Sequence, residues 1–160
     1  MLILGIDPGL ATIGFGLVLK NGDKYRAVEY GAITTAPKQM IEKRLDNIYK
    51  DMTELLRRYK PDCMAIEELF FNSNTTTAID VAMARGVILL AAYQCGVDVY
   101  EYTPLEVKSS VVGYGRAEKQ QVQYMVKLML NLKETPKPDD TADALALALC
   151  HGTRVIPHNL

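Results

Sequence analysis

The sequence predicts an α/β domain built on a mixed five-stranded sheet flanked by helices. Three β-rich segments open the chain, helical and strand patterns then alternate, and the chain ends in helices. This order favours antiparallel pairing among the first strands and parallel pairing afterwards. The chain has 160 residues, of which 49% are hydrophobic and 23% charged, which suits one domain with a substantial core. We expect a single domain over residues 1–154 and a short C-terminal tail over 155–160.

The predicted strands are short runs of apolar or β-forming residues bounded by turn signals. The first run ends at Asp7-Pro8-Gly9, and Asn21-Gly22-Asp23 between the second and third runs is a hairpin signal. The five strands cover Leu2–Ile6, Ile13–Lys20, Tyr25–Thr35, Cys63–Ile66 and Val97–Tyr100.

The predicted helices show apolar residues recurring at steps of three and four. They cover Ile41–Tyr59, Thr75–Gln94, a short segment opening at Pro104, Ala117–Leu130, and a last segment from Asp139 or Asp140 through His151. Asp139 is the favoured N-cap of the last helix. In the second helix Ile79, Met83, Val87 and Leu90 share one face, which predicts that this face lies in the core.

The net charge of −1 argues at first against a nucleic-acid partner, because such partners favour basic proteins. The charges are segregated along the chain, however. Residues 38–60 carry seven basic and four acidic side chains, 61–103 carry one and six, and 104–133 carry five and two. Because basic segments stand beside an acidic one, the net charge does not exclude a nucleic-acid partner.

Targeting and redox signals point to a cytoplasmic protein that does not enter a membrane. No uninterrupted apolar run approaches the ~20 residues of a membrane span, and the N-terminus lacks the basic region of a signal peptide. Cys63, Cys95 and Cys150 show no C-x-x-C spacing, so we expect them to be reduced, buried thiols.

Carboxylates stand at two predicted strand ends and one helix start. Asp7 follows the first strand, and the Glu67-Glu68 pair follows the fourth; alternation allows only one of that pair to point into a shared site. At the last helix Asp140 and Asp143 are three residues apart and share a face. Each acid has an ordinary alternative, as a turn residue, a solvated loop residue or a residue at a helix N-terminus.

These positions can converge at one edge of an α/β sheet. Several carboxylates within ~6 Å of one another repel unless a cation is present. Oxygen ligands favour Mg²⁺ or Mn²⁺, and a pair of such ions ~3.5–4 Å apart is the usual arrangement for phosphodiester cleavage. The glycines Gly9, Gly14 and Gly16 also suggest a phosphate loop, but they match no known fingerprint, and Gly14 and Gly16 lie on a predicted strand.

A basic segment could supply the contact with nucleic acid. It runs from Lys108 through Tyr114, Arg116 and Lys119, and it combines cations, hydroxyls and a Gly-Tyr-Gly turn before a helix. An ordinary solvated surface is the alternative. Of Phe70 and Phe71, we expect one to lie in the core, whereas the other could stack on an unpaired base.

Five motifs in this order resemble the RuvC family of bacterial crossover junction endodeoxyribonucleases, and the resemblance runs from about residue 2 to 152. The motifs are Gly5-Ile6-Asp7-Pro8-Gly9 with Gly14 and Gly16; Ala65-Ile66-Glu67-Glu68 with Phe70; Asn72 and Asn74 with Ala84-Arg85-Gly86-Val87; Val107-Lys108 with Gly113, Gly115, Ala117, Lys119 and Val122; and Asp140 with Asp143-Ala144-Leu145-Ala146. The resemblance implies an RNase H-like fold and a homodimer. It also implies resolution of four-way Holliday junctions by paired symmetric nicks during recombination and DNA repair.

The resemblance assigns a role to each candidate residue. It implies that Asp7, Glu67, Asp140 and Asp143 bind two Mg²⁺ ions, with Mn²⁺ as a substitute, and that Lys119 assists catalysis. The cuts would leave 5′-phosphate and 3′-hydroxyl ends. The helix over Thr75–Gln94 resembles the family's dimer helix, and the RuvA–RuvB branch-migration complex is an expected partner. The implied DNA-binding residues are Phe70, Arg85, Lys108 and Lys119, and the basic segment adds Tyr114 and Arg116 as predicted DNA contacts.

Three other functions remain open at this point. A related RNase H-like nuclease acting on RNA or an RNA/DNA hybrid shares the fold and the acids. A junction-binding protein without activity would not need four intact acids. A sugar kinase or ATPase also begins with a strand, an acid and glycines, but it needs a duplicated domain of about twice this length.

Overall fold

The computed structural model describes residues 1–69 and 75–155 and contains the expected mixed sheet. The strands are β1 (Leu2–Asp7), β2 (Thr12–Asn21), β3 (Lys24–Thr34), β4 (Cys63–Glu67) and β5 (Asp98–Tyr102). Their order is β3-β2-β1-β4-β5. The first three pair antiparallel, and β4 and β5 continue parallel to β1.

Helices cover both faces of this sheet. They are α1 (Ile41–Tyr59), α2 (Thr75–Gln94), α3 (Pro104–Val112), α4 (Lys119–Met129) and α5 (Asp139–Arg154). Alternation divides each strand between two cores: Ile3 faces α5, whereas Leu4 faces α1 and α2. The predicted RNase H-like arrangement of a mixed sheet between helices is confirmed.

Glycines bring α5 against the sheet backbone to backbone. A Cβ atom built on Gly5 would overlap the main chain of Ala144, and one on Gly14 would overlap that of Asp140. At Gly16 the same atom would lie 2.6 Å from Leu145 Cδ2. The glycine pattern therefore serves close helix packing. It sets the first turn of α5 beside the end of β1.

The ends of α5 are held by charged side chains. Its N-cap is Pro138 and Asp139 is its first residue, so the predicted Asp139 cap is wrong. The Asp139 carboxylate instead accepts a hydrogen bond from Gln123 Nε2 (3.2 Å) and pairs with lysines. At the other end Lys20 Nζ donates to the carbonyls of Gly152 (2.5 Å) and Val155 (2.7 Å), which ties the helix to β2.

The face of α2 predicted to lie in the core is largely outward. Ile79 is 56% exposed and Leu90 50% exposed, whereas Val87 packs partly buried against the core beside the buried Ile88. The core prediction is therefore wrong for Ile79 and Leu90, because α2 is apolar on both sides and periodicity could not identify the buried one. Among the described residues, Thr76–Gln94 is the one stretch long and apolar enough to cross a membrane, judged by length and composition only.

The cysteines differ in burial. Cys63 and Cys150 are buried as expected, but Cys95 is partly exposed at the end of α2, and all three are free thiols. Burial raises the pKa of Cys63 to about 11 and also raises that of Cys150. The two buried thiols are therefore protonated at neutral pH.

Candidate active site

A pocket of about 230 Å³ opens where the ends of β1 and β4 meet α3, α4 and α5. Its acidic wall contains Asp7, Glu67 and Asp143, and its basic wall contains Lys108 and Lys119. Five separate elements supply these five charged side chains, one each. The remaining wall consists of Pro104, Val107, Val122, Ala146 and Leu147. This apolar wall was not predicted from the sequence, although Val107 and Val122 belong to the motif that contains Lys108 and Lys119.

Asp7 is the most perturbed acid of the pocket. Burial raises its pKa to about 8, and the negative charges of Glu67, Asp143 and Asp140 add to the effect. Its side chain is also hydrogen-bonded to Asp140. Asp7 pairs with Gly14 across β1 and β2, and Gly14 lies against the backbone of Asp140. The glycine contact therefore brings these two acids together.

Glu67 is the member of the acidic pair that faces the pocket. It ends β4 on the same side of the sheet as Cys63 and Ala65, which pack towards α5. Burial and the charge of Asp143 raise its pKa, which Lys108 partly offsets. Glu68 is exposed, and its N–H donates to the Tyr102 carbonyl (2.9 Å). The strand pattern alone could not decide between Glu67 and Glu68. The packing of α5 on one face of the sheet decides it, because Glu67 lies on that face.

The donor set of the pocket fits a hard divalent cation. Burial raises the pKa of Asp143, and the charge of Asp140, which does not itself line the pocket, adds to the effect. The three carboxylates that line the pocket are therefore harder to ionise than usual. A bound cation relieves this repulsion, and carboxylate oxygens are the ligands Mg²⁺ and Mn²⁺ prefer. Within residues 1–69 and 75–155, no three His, Cys, Asp or Glu side chains close around one ion position. Asp7, Glu67 and Asp143 therefore line one pocket, but they do not surround a single ion position.

Lys119 reaches the acidic wall from the first turn of α4. Its Nζ lies 3.3 Å from Asp139 Oδ2 and 3.6 Å from Asp143 Oδ2. Partial burial lowers the pKa of Lys119, but the attraction of Asp143 and Asp139 outweighs it and raises the pKa overall. The contact between Asp139 and Lys119 was not predicted from the sequence. The three acids within residues 139–143 were the pattern that could have indicated a nearby lysine.

The other predicted DNA contacts lie in different surroundings. Lys108 lines the pocket, and Tyr114 and Arg116 are exposed on the loop between α3 and α4. Phe70 lies outside the described residues. Arg85 differs from the rest because its side chain is only 13% exposed and contacts other protein groups.

His151 does not belong to the pocket. It is buried in α5, its Nδ1 is hydrogen-bonded to the Tyr102 hydroxyl (2.7 Å), and burial together with Lys20 lowers its pKa. The ionisable side chains that line the pocket are therefore carboxylates and lysines.

Comparisons with known proteins agree with this arrangement. The family model described as crossover junction endodeoxyribonuclease RuvC matches residues 3–151. A crossover junction endodeoxyribonuclease RuvC from Alkaliphilus metalliredigens is 58% identical over 151 residues, which cover 94% of this chain and 92% of the relative.

Two solved structures extend the comparison. RuvC from T. thermophilus, solved in complex with a Holliday junction substrate, has a TM-score of 0.91 and 40% identity, covering 96% of this chain and 93% of that one. The yeast mitochondrial Holliday junction resolvase has a TM-score of 0.72 at 14% identity, covering 94% and 78%, so it supports the fold alone.

Proposed function

Because this chain belongs to the RuvC family of crossover junction endodeoxyribonucleases, we propose that the carboxylate pocket is where it cuts Holliday junctions. The chain is a Holliday junction resolvase that binds junction DNA and depends on a divalent metal. The observation that carries the assignment of the pocket is the convergence of Asp7, Glu67 and Asp143 opposite Lys108 and Lys119.

Asp7, Glu67, Asp140 and Asp143 are the proposed metal-binding residues. Their mutual repulsion favours divalent cations, and we propose two Mg²⁺ ions per site with Mn²⁺ as a substitute. Bound ions of this kind activate a water molecule and stabilise charge on the leaving oxygen. The products expected from such cleavage are 5′-phosphate and 3′-hydroxyl ends.

The lysines complete the proposed site. Lys119 carries a positive charge next to Asp143, where it can offset negative charge that builds up on the scissile phosphate. Lys108 holds a positive charge on the opposite wall and is a proposed phosphate contact. Tyr114 and Arg116, on the loop joining these helices, extend the proposed DNA path, and Phe70 is the proposed aromatic that stacks on an opened base.

A homodimer is proposed through α2. Ile79, Leu90 and Tyr93 are 56%, 50% and 84% exposed, and an apolar helix face of this kind suits a second copy of the chain. Two copies would present two pockets and produce paired symmetric nicks in recombination and DNA repair. Association with the RuvA–RuvB complex and a cytoplasmic location are further parts of the proposal.

The test is cleavage of a synthetic four-way junction with and without Mg²⁺, with the cuts mapped on all four strands. Symmetric cuts in two opposed strands are expected, and an RNA/DNA hybrid in the same assay should compete weakly. Asp7→Asn should keep junction binding and lose cleavage, because it removes the most perturbed carboxylate. Retained Mg²⁺-dependent nicking by that variant would contradict the assignment of the pocket.

A second variant tests the DNA path. Lys108→Ala should weaken both binding and cleavage, and its binding should depend less on salt because one phosphate contact is lost. Binding measured over a salt series checks this. An unchanged slope would remove Lys108 from the path.

A further inference from the structure

We propose that Arg85 is a positioning residue that holds the end of β4, and with it the Glu67 carboxylate, in place for cleavage. The inference rests on the proposed function only in that Glu67 acts in the reaction. It assigns Arg85 a different role from the DNA contact that the family resemblance implies.

The guanidinium of Arg85 bridges α2 to the ends of two strands. Its Nε donates to the main-chain carbonyl of Glu67 (3.3 Å), and its Nη2 lies 2.8 Å from Glu101 Oε1 on β5. Only 13% of the side chain is exposed. A phosphate would have to compete with both partners for a group that is already largely covered.

The bridge is made where the pairing of β4 with β1 ends, while its pairing with β5 continues. The pairing of β4 with β1 stops at Ile66, one residue before Glu67, while the pairing with β5 continues to Tyr102. Glu67 therefore lies one residue past the last β1–β4 pair, at the residue that must present its carboxylate to the pocket. A hydrogen bond from Arg85 to the Glu67 carbonyl restrains the backbone there.

The charge of Glu101 keeps the guanidinium in this position. A buried cation without a partner is costly, and an ion pair offsets that cost. Among the described residues Nη2 has no aligned hydrogen-bond acceptor, so its contact with Glu101 is held by charge attraction. Removing the charge of Glu101 should therefore release Arg85, although Glu101 is not among the residues that line the pocket.

This linkage makes separable predictions for Arg85→Ala, Arg85→Lys and Glu101→Gln. A matched control is Arg154→Ala, which breaks another Arg–Glu pair, with Glu106 at 2.9 Å, that does not touch a pocket carboxylate. Four quantities are measured in the full-length protein. They are junction affinity over a salt series in EDTA, the single-turnover cleavage rate over a Mg²⁺ series, Mn²⁺ affinity without DNA by calorimetry, and the thermal unfolding midpoint.

We expect Arg85→Ala and Glu101→Gln to bind junctions within about twofold of the parent chain and with the same salt slope. Their cleavage should fall roughly 10- to 100-fold, with a higher Mg²⁺ requirement and weaker Mn²⁺ binding, as for other residues that orient metal ligands. Arg85→Lys should recover part of the loss, because it retains a cation and a donor. Arg154→Ala should leave the rate and both metal dependences unchanged.

Two results would overturn the proposal. If Arg85→Ala weakens junction binding and flattens the salt slope while Glu101→Gln is silent, Arg85 is a DNA contact. If both variants lower the unfolding midpoint and the rate but leave both metal dependences unchanged, the bridge is merely structural. Glu101→Gln keeps the side-chain volume and remains informative if Arg85→Ala does not fold. Failure of the parent chain to cleave junctions would instead refute the proposed function.

Discussion

The helices α5 and α2 are both rich in apolar residues, yet they are used in opposite ways. In α5, 11 of 16 residues are buried against the sheet and neighbouring helices. In α2, 28% of residues Thr76–Gln94 are buried, and large apolar side chains remain outside. The difference teaches that apolar content alone does not assign a helix to the core of its own chain. Backbone contact holds α5 and its acids against the sheet, whereas α2 leaves large apolar side chains exposed.

The largest effect expected on α5 comes from its acids. Asp143→Asn should reduce single-turnover cleavage by at least about 1,000-fold, because it removes a carboxylate from the wall proposed to bind the metal. Asp139→Asn, on the same turn of the helix, should cost less than about tenfold, because Asp139 acts on Lys119 rather than on the metal. Cleavage rates of the two variants measured side by side test this. Equal losses would show that cleavage requires a negative charge near the pocket rather than a carboxylate that binds the metal.

The next largest effect concerns packing. Gly5→Ala should lower the free energy of unfolding by about 3 kcal/mol, because the added methyl overlaps the backbone of α5. Gly86→Ala on α2 is the control, since nothing lies within 4 Å of its Cβ position. That change should raise stability by about 0.5–1 kcal/mol through helix propensity. Denaturant titration measures both, and destabilisation by Gly86→Ala would mean that a partner approaches α2 there.

The outer face of α2 provides the third comparison. Leu90→Glu should weaken dimer association roughly 30-fold or more, because it places a charge in the proposed interface. The chain itself should stay folded, since Leu90 is 50% exposed. Leu128→Glu, at a leucine 59% exposed on α4, is the matched control and should leave the oligomeric state unchanged. Light scattering over a concentration series distinguishes them, and a dimer that survives Leu90→Glu would rule out this face.

The most gradual effect is a pH dependence of stability on the side of the sheet that α5 covers, where Asp7, Glu67 and Asp143 lie. In metal-free protein the pKa of Asp7 is about 8, against 3.8 as the ordinary value, so the folded chain binds an extra proton between these limits. Stability from this group is complete below pH 3.8 and falls as pH rises towards 8. The raised pKa values of Glu67 and Asp143 act in the same direction. Unfolding in EDTA should show this slope, and Asp7→Asn should flatten it.

Added Mg²⁺ should oppose that slope. Metal binding requires ionised carboxylates, so its affinity should increase with pH over the same range. Unfolding midpoints with and without Mg²⁺ at several pH values provide the measurement. A stabilisation by Mg²⁺ that is independent of pH would argue against binding at these acids.

The strands and helices were predictable because their signals are local. Most predicted bounds agree with the structure, and β5 differs mainly in running on to Tyr102. Asp7 and Glu67 could be placed at strand ends for the same reason. The choice of Glu67 over Glu68 depended on which face α5 covers, and alternation alone does not contain that information.

Other features could not be predicted because they depend on contacts between distant segments. Gly14 and Gly16 have the local appearance of a phosphate loop, but their role is set by α5, more than 120 residues later. A positively charged residue such as Arg85 is a natural candidate for a DNA contact from the sequence, and only the fold shows that it pairs with Glu101. Ile79 and Leu90 match an inward helix face, which has the same pattern whether the partner is a sheet or a second chain.

The glycine contacts between β1, β2 and α5 also bear on how this protein can vary. Backbone atoms, rather than side-chain rotamers, set the separation between Asp7 and the first turn of α5. Mutations elsewhere in the core can therefore accumulate and repack without moving the acids. Because main-chain contacts position the acids, such a nuclease can change in sequence, or be engineered for stability, as long as Gly5, Gly14 and Gly16 are kept.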